Sequence, residues 1–527
     1  MKRVLSLVLC SALVLSTLTG CGGKKETTGE TGSNSDNTTV TSDVSTGDDT
    51  SAADSGEITN IIWQYPSAGD QGSGFQDVED ALNKMMEKDI GVHVTFEPVG
   101  LADSQKDAIL MTSSGEQLDI CLTAFTSLAP LVDGGLVYPL DDLLAKDGKD
   151  LTQMLGTNVN LGNYNSKIYG IPPADRKGNA YGYLARTDLL EKYGIIIDSK
   201  KKYTPEDVEN IFATIKAGEG DNFYCTIPWN TTQDPLNNSF LEYDKIGGTF
   251  ASGVLMLNRS IDDLTVTNFF ATDEYAKYTE MMYRWAQKGY ISPDAAVTTE
   301  SPDTLIQTGN YLGMFYWSLP TSAIDYGASS GHDLTLIPMI DGYVANNGGG
   351  AILWSIPITS VNPDKAMQAL NYLYSNPAAN WLIQFGIEGV NYKVVNQTDE
   401  GTQIQYLSDD YSKLPYYNPY GLWGNILEWP VVAPAPINKN KLIKDFDASI
   451  PKSRYSAALG YNFVQTNVTT EIAAVNTVID QYTPSFNSGA LDSSKALPEF
   501  LDALKAAGID KIIAENQKQL DEWAATQ

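Results

Sequence analysis

The side chains able to do chemistry in this chain are abundant in one class and scarce in the others. There are nine Trp and 29 Tyr, against two histidines, His93 and His332, and four cysteines, Cys10, Cys21, Cys121 and Cys225. Two distant histidines cannot build a His-rich zinc site, and the cysteines show no CxxC spacing. A Ser-His-Asp triad would have to use one of those histidines, and neither sits in a recognisable motif. Two carboxylate pairs, Asp141-Asp142 and Asp409-Asp410, are adjacent in sequence. Neighbours on a helix point apart, so neither pair suits acid/base catalysis across a bond. No Asp-x-Asp-x-Asp-Gly series offers a calcium loop. The sequence therefore points to no metal, no cofactor and no catalytic residues.

Aromatic rings beside planar polar groups suit a different chemistry. The faces of a pyranose ring are apolar C–H surfaces that stack on Trp and Tyr, and its hydroxyl edges need Asp, Asn, Glu or Arg. Several aromatics fall at predicted strand ends or in loops. Trp63 and Tyr65 end the first strand, and Trp229 and Asn230 share the loop Ile227-Pro228-Trp229-Asn230. Tyr316 and Trp317 end a later strand, Trp354 follows the glycines 348–350, and Tyr420, Trp423 and Trp429 lie in a Gly/Pro-rich stretch. Trp229 and Trp317 are the foremost ligand candidates. Trp285 and Trp381 sit within helical periodicity and are assigned to core. For every one of these rings, packing is the alternative.

The elements that must position these groups follow from periodicity. Residues 58–65 read as a strand, Phe75, Val78, Leu82, Met85 and Met86 recur at helical spacing, and 92–96 is a strand again. A helix through Ala108 to Met111 and a short strand at 118–122 continue the alternation, which argues for an α/β fold with a mostly parallel sheet. Ligands gather at the carboxyl ends of such strands, here Tyr65 to Ser67 and Thr123 to Phe125. The run into Pro172-Pro173 suits a crossover between lobes. Thr204 and Pro205 open a helix, and residues 497–523 hold two amphipathic helices joined at Gly508.

Composition narrows the class further. Lys plus Arg number 35 and Asp plus Glu 65, a formal charge of −30 in 527 residues. That charge repels phosphate backbones, so nucleic-acid binding is not expected. With 42% hydrophobic and 10% aromatic residues the body is globular. The N-terminus differs. Lys2 and Arg3 precede an apolar run, 4–17, too short to span a bilayer, so 1–20 reads as a signal peptide. The closing Leu18-Thr19-Gly20-Cys21 resembles the lipobox of bacterial lipoproteins. That resemblance implies cleavage before Cys21 and its modification by diacylglycerol, with palmitate as a natural acyl group. Residues 21–57, with no aromatic after the cysteine, then form a disordered tether. Cys121 and Cys225 are expected as two buried free thiols.

Several phrases in order, among them ALNKMMEKDIGVHVTFEPV (81–99), SSGEQLDICLTA (113–124), YGIPP (169–173), YLARTDLLEKYGI (183–195) and IDQYTPSFNSGALD (479–492), resemble the extracellular solute-binding lipoproteins of ABC importers. The nearest branch is family 1, carbohydrate-type, in its long variant with an additional C-terminal domain of unknown function. The resemblance implies an α/β, two-lobe, periplasmic-binding-protein-like fold with a hinge, an interlobe cleft and a helical C-terminal extension. It places lobe one at 58–170 plus 305–355, lobe two at 171–304 plus 356–490, and helices 491–527 packed on the body. Asp119 resembles the family's acidic residue after the flexible helix, and Arg176 follows the crossover at the cleft rim.

The site expected from residues and resemblance together is Trp63, Tyr65, Asp119, Thr123, Arg176, Trp229, Asn230, Tyr316, Trp317, Trp354 and Trp423, with lipidation at Cys21. The function implied is a lipid-anchored binding protein on the extracytoplasmic face of the bacterial cell membrane. It captures a small solute, in the first place an oligosaccharide, and delivers it to ABC permease subunits as a monomer. Two alternatives stand beside it: a surface glycoside hydrolase using two carboxylates, and a ligand-sensing lipoprotein for a signalling partner.

Overall fold

The computed structural model describes residues 58–69, 71–124, 126–164, 166–228, 234–346 and 352–526. Cys21 and the tether, Trp229, Asn230 and the glycines 348–350 lie outside the described residues.

The first passage runs β1 (Thr59–Ser67), α1 (Phe75–Ile90), β2 (Val92–Gly100), α2 (Ser104–Ser114) and β3 (Cys121–Ala124). β1 and β2 are parallel, with Thr59 opposite Val92 and Ser67 opposite Gly100, and Trp63 bridges to Ile120 of the chain leading into β3. Parallel neighbours need a crossover between them, which α1 and α2 provide. α1 turns Val78, Leu82 and Met86 inward at helical spacing. Then follow α3 (Ala129–Asp133), α4 (Asp141–Asp147), α5 (Lys149–Leu155) and a small hairpin of β4 (Asn163–Tyr164) and β5 (Lys167–Ile168).

A second sheet is built around β6 (Asn179–Arg186), a strand buried along its whole length. The chain makes α6 (Thr187–Lys192), α7 (Pro205–Glu219), α8 (Asp234–Asn238), α9 (Asp273–Gln287) and α10 (Pro302–Gln307) before β7 (Gly313–Trp317), α11 (Ser322–Ser330) and β8 (Leu334–Tyr343). β7 and β8 flank β6, both antiparallel to it. α7 starts as the sequence predicts: Thr204 accepts from the Asp207 amide, Asp207 accepts from the Thr204 amide, and Pro205 takes the first helical position.

The third passage holds β9 (Ile352–Ser355), α12 (Pro363–Ser375), α13 (Pro377–Phe385), β10 (Tyr392–Thr398), β11 (Gly401–Tyr406), β12 (Val431–Val432) and α14 (Lys439–Ser449). The last holds α15 (Thr469–Asn487), α16 (Ser493–Ala507) and α17 (Ile509–Ala524). α16 ends and α17 begins at Gly508, whose φ of 102° is a left-handed cap that a residue with a Cβ rarely adopts.

Buried apolar side chains gather into two main cores. One is made by β1, β2, α1, α4, α5, α12 and α13 with Trp354, Tyr416 and Trp423. The other is made by β6, β7, β8, α7, α9 and the C-terminal helices, where Phe270 and Phe500 meet edge to face at 5.0 Å. These are the two lobes, and their make-up corrects the boundaries expected from the sequence. Residues 313–343, expected in lobe one, supply both partners of β6 in lobe two. β9 pairs with β3 of lobe one. α12, expected in lobe two, is fastened to lobe one: Asn371 accepts from the Leu151 amide at 2.9 Å, and Lys146 pairs with Asp364 at 2.7 Å. A strand's partner in space is set by sheet closure, which local periodicity does not record.

Among the described residues the chain passes between lobes through 174–179 and 447–455, and Val344 to Asn346 leave lobe two beside them. The crossings are tied to one another. Asp447 accepts from the Lys177 and Gly178 amides at 2.9 and 2.8 Å. Val344 exchanges backbone bonds with Arg454 and Ser456. A Cβ on Gly178 would stand 2.3 Å from Ile450 Cδ1 and 2.7 Å from Phe446 Cε1, so a larger residue there would have to displace these side chains.

One charged cluster in lobe two sets an acid limit. Glu209 of α7 accepts from Arg284 at 2.8 Å and Lys288 at 2.6 Å, both on or just after α9. Arg284 first, then Lys288, holds its carboxyl down at about 2, against an ordinary 4.5. A depressed carboxylate stabilises the fold above its unfolded value, and that contribution is lost as pH falls from about 4.5 toward 2. Glu209→Gln is expected to cost about 1 kcal/mol at pH 7 and almost nothing at pH 2. Urea unfolding at the two pH values checks it.

Candidate ligand site at the seam between the lobes

The predicted site residues divide by depth. Trp63, Tyr65, Trp354 and Trp423 come together, but inside lobe one. The Trp63 ring is 5.7 Å from Trp354 and 5.6 Å from Trp423, and Trp354 stacks on Trp423 at 4.6 Å. Tyr65 stacks on Trp423 at 5.6 Å and shares a 2.8 Å hydroxyl bond with Tyr416. Burial raises the Tyr65 hydroxyl well above its usual range. All four are buried, three of them at 0–1% exposure, so they have no surface to offer a ligand in this conformation. The physical reason is that the one face of β1 carrying Trp63 and Tyr65 is covered by α1 together with Trp354 and Trp423, while Ile62 and Gln64 on the other face meet α2.

Asp119 is likewise buried, and its carboxylate serves lobe one. It accepts from the Ile62 amide at 2.8 Å, Gln117 Nε2 at 2.8 Å, Ser360 Oγ at 2.7 Å and the Val361 amide at 2.8 Å. Thr123 is buried in β3, with Gln105 Nε2 3.5 Å from its hydroxyl. Trp285 is core, as expected. Trp381, also expected in core, is only half-buried. The acidic pairs do local work: Asp141 accepts from the Ile168 amide at 3.2 Å, and Asp410 caps a short turn at Ser412. Among the described residues no three His, Cys, Asp or Glu side chains group as metal ligands. Cys121 and Cys225 are free, buried in different cores, and pushed by burial up to about 12, which leaves neither a useful thiolate.

Three further predicted residues lie at the end of β7 and in the first crossing. Tyr316 and Trp317 close β7, half-buried, their rings edge to face at 5.1 Å. The Trp317 ring lies 6.3 Å from Tyr181, which is its register partner on β6. Arg176 stands exposed in the first crossing. Burial raises the Tyr316 hydroxyl, while the nearby Arg176 charge lowers it and Asp325 and Asp303 raise it. Arg176, Tyr316 and Asp325 therefore share one neighbourhood. Two half-exposed rings, a guanidinium and a carboxylate there can stack a sugar face and bond its hydroxyl edge.

The seam is also stitched by polar contacts. Lys439 of α14, in lobe one, pairs with Asp325 of α11, in lobe two, at 2.8 Å. Thr466 donates to Asp133 at 3.0 Å, and Asn462 donates to the Asn163 carbonyl at 2.7 Å. The Lys439–Asp325 pair is about one-third exposed on each side, worth roughly 0.5 kcal/mol. Asp325→Ala is expected to broaden the interlobe distance distribution read by paired spin labels. Raising salt to about 1 M should broaden the wild type in the same way and leave the variant unchanged.

Comparison with known proteins gives a consistent picture. The family model described as bacterial extracellular solute-binding protein matches residues 81–406. A domain of unknown function (DUF3502) matches 457–525. The chain is 27% identical over 489 residues to a carbohydrate ABC transporter substrate-binding protein of Streptococcus pneumoniae serotype 4, spanning 91% of this chain and 94% of that one. Among solved structures it resembles the N-glycan transport solute binding protein NgtS of S. pneumoniae, with TM-score 0.72, 23% identity, and 89% of this chain and 99% of that one covered. The same protein in complex with Man5GlcNAc gives TM-score 0.61 at 23% identity, over 89% and 99%. An extracellular solute-binding protein from Bifidobacterium longum subsp. infantis gives TM-score 0.61 at 15% identity, over 90% and 99%.

Proposed function

This chain belongs to the family of bacterial extracellular solute-binding proteins, and from that premise we propose that it captures an oligosaccharide between its lobes and hands it to an ABC importer. The observation that carries the ligand class is the pair of half-exposed rings that ends β7, Tyr316 and Trp317, with Arg176 near Tyr316. A carbohydrate transporter subunit as relative, and a fold shared with a protein solved with N-glycan fragments, support the same class.

In this reading Cys21 carries the lipid that holds the protein outside the membrane. Residues 22–57 link that lipid to the body. No helix among the described residues is long and apolar enough to cross a membrane. Binding works by population shift. Contacts that a sugar makes to both lobes favour the closed arrangement, and the tied crossings at 174–179 and 447–455 confine the motion to a hinge. Release at the permease reverses the bias and leaves the sugar chemically unchanged.

The test is to purify the protein without denaturation and identify co-purified ligand by native mass spectrometry, then titrate a glycan panel by tryptophan fluorescence. A hexose-containing mass and a saturable signal are expected. A panel that leaves fluorescence and thermal midpoint flat, with no glycan co-purified, overturns the carbohydrate reading.

A further inference from the structure

A second recess lies entirely within lobe one, away from the seam. It encloses about 430 Å³ between the β10–β11 turn, the chain before β12 and one face of α14. That is within the usual range for small-molecule pockets, about 300–1,000 Å³. Its walls carry two tryptophans, Trp381 and Trp429, both half-buried. Each indole N–H is already engaged, Trp381 with the Glu428 carbonyl at 2.9 Å and Trp429 with Asn380 Oδ1 at 2.8 Å. The rings are therefore held in fixed orientations and meet a ligand through their carbon surfaces. Asn440 donates to the Trp429 carbonyl at 2.8 Å, which pins α14 against this wall.

The two lysines of the recess are paired, and Asp399 and Glu400 of the β10–β11 turn add carboxylates to its lining. Lys444 binds Glu428 and Lys441 binds Asp445, each at 2.5 Å. A lining whose lysines are engaged and whose surplus charge is acidic disfavours an anion. It offers hydroxyl groups both donors and acceptors, and two fixed indoles offer C–H faces a surface to stack on. α14 also separates this recess from the seam. Lys439 reaches Asp325 of the other lobe, while Asn440, Lys441 and Lys444 of the same helix line the recess.

We propose that the Trp381–Trp429 recess is a second carbohydrate site, carried by lobe one alone and taking a neutral sugar. This rests on the reading that the cargo is carbohydrate, and it assigns the two tryptophans a role distinct from the seam rings. Because it lies in one lobe, it binds without hinge closure.

The test labels the full chain with 5-fluorotryptophan and follows ¹⁹F spectra as mannobiose or chitobiose is added. Trp381→Phe and Trp429→Phe assign the two resonances. In a Trp317→Ala background the Trp381 and Trp429 signals are expected to shift saturably. The surface double variant Asp399→Ala/Lys441→Ala, at an unchanged thermal midpoint, should weaken that titration at least threefold. If in the wild type the Trp317 signal moves while Trp381 and Trp429 stay fixed, the second site is overturned and the seam reading stands. If no resonance responds to either sugar, both fall.

Discussion

Asp119→Ala is expected to lower folding stability by about 3 kcal/mol while leaving sugar affinity unchanged. The carboxylate is fully buried and accepts four hydrogen bonds, two of them from the Ile62 and Val361 amides. A hydrogen bond to a charged group contributes about 1.5–3 kcal/mol, and each buried donor left unmade costs about 1–3 kcal/mol. Alanine leaves both amides, Gln117 Nε2 and the Ser360 hydroxyl without their acceptor at once. The losses do not add fully, since the 359–361 turn can relax toward water, so the total is set near the lower end. Asp119→Asn keeps one acceptor oxygen and should lose about half as much. Urea unfolding measures the first effect and calorimetry of sugar binding the second. A stability change under about 1 kcal/mol combined with a lost affinity would return Asp119 to the ligand role that its place in the sequence suggests.

That contrast shows what local sequence can and cannot specify. The α7 start at Thr204-Pro205-Glu206-Asp207 and the Gly508 junction of α16 and α17 are legible because cap chemistry is written in consecutive residues. The βαβ opening is legible because its apolar periods change from two to 3.6 within a few tens of residues. Burial of a particular strand-end aromatic is not written locally. The sequence places Trp63 and Trp317 alike at strand ends, yet β1 runs on to Ser67, and Trp63 at its middle is covered by Trp354 and Trp423, which arrive on a later passage of the chain. Trp381 shows the converse. Its helical spacing argues for core, but the β10–β11 turn and α14 fold beside it without sealing it, and the ring keeps an open side. The lobe boundaries were hidden for the same reason: β7 and β8 join lobe two by pairing with β6, a long-range choice.

Trp317→Ala is expected to weaken oligosaccharide binding about 30-fold with little loss of stability. A central aromatic anchor in a binding site is commonly worth about 2 kcal/mol on truncation, and about 1.4 kcal/mol is tenfold in affinity. The ring is half-buried at the end of β7, supported by Tyr181 at 6.3 Å and Tyr316 at 5.1 Å. Its backbone stays in the β6–β7 ladder whatever the side chain, because Tyr181 and Trp317 pair through main-chain groups. Removing the ring therefore exposes part of Tyr181 and costs roughly 1 kcal/mol of folding, well below the loss from a sealed core tryptophan, about 3–5 kcal/mol. Trp317→Phe keeps a stacking face and should retain most of the affinity, which a role in mere space-filling would not require. Calorimetric titration of the co-purified glycan, with urea unfolding in parallel, separates the cases. Unchanged affinity in Trp317→Ala would mean that the ring only packs, and the sugar platform would have to lie elsewhere on the seam.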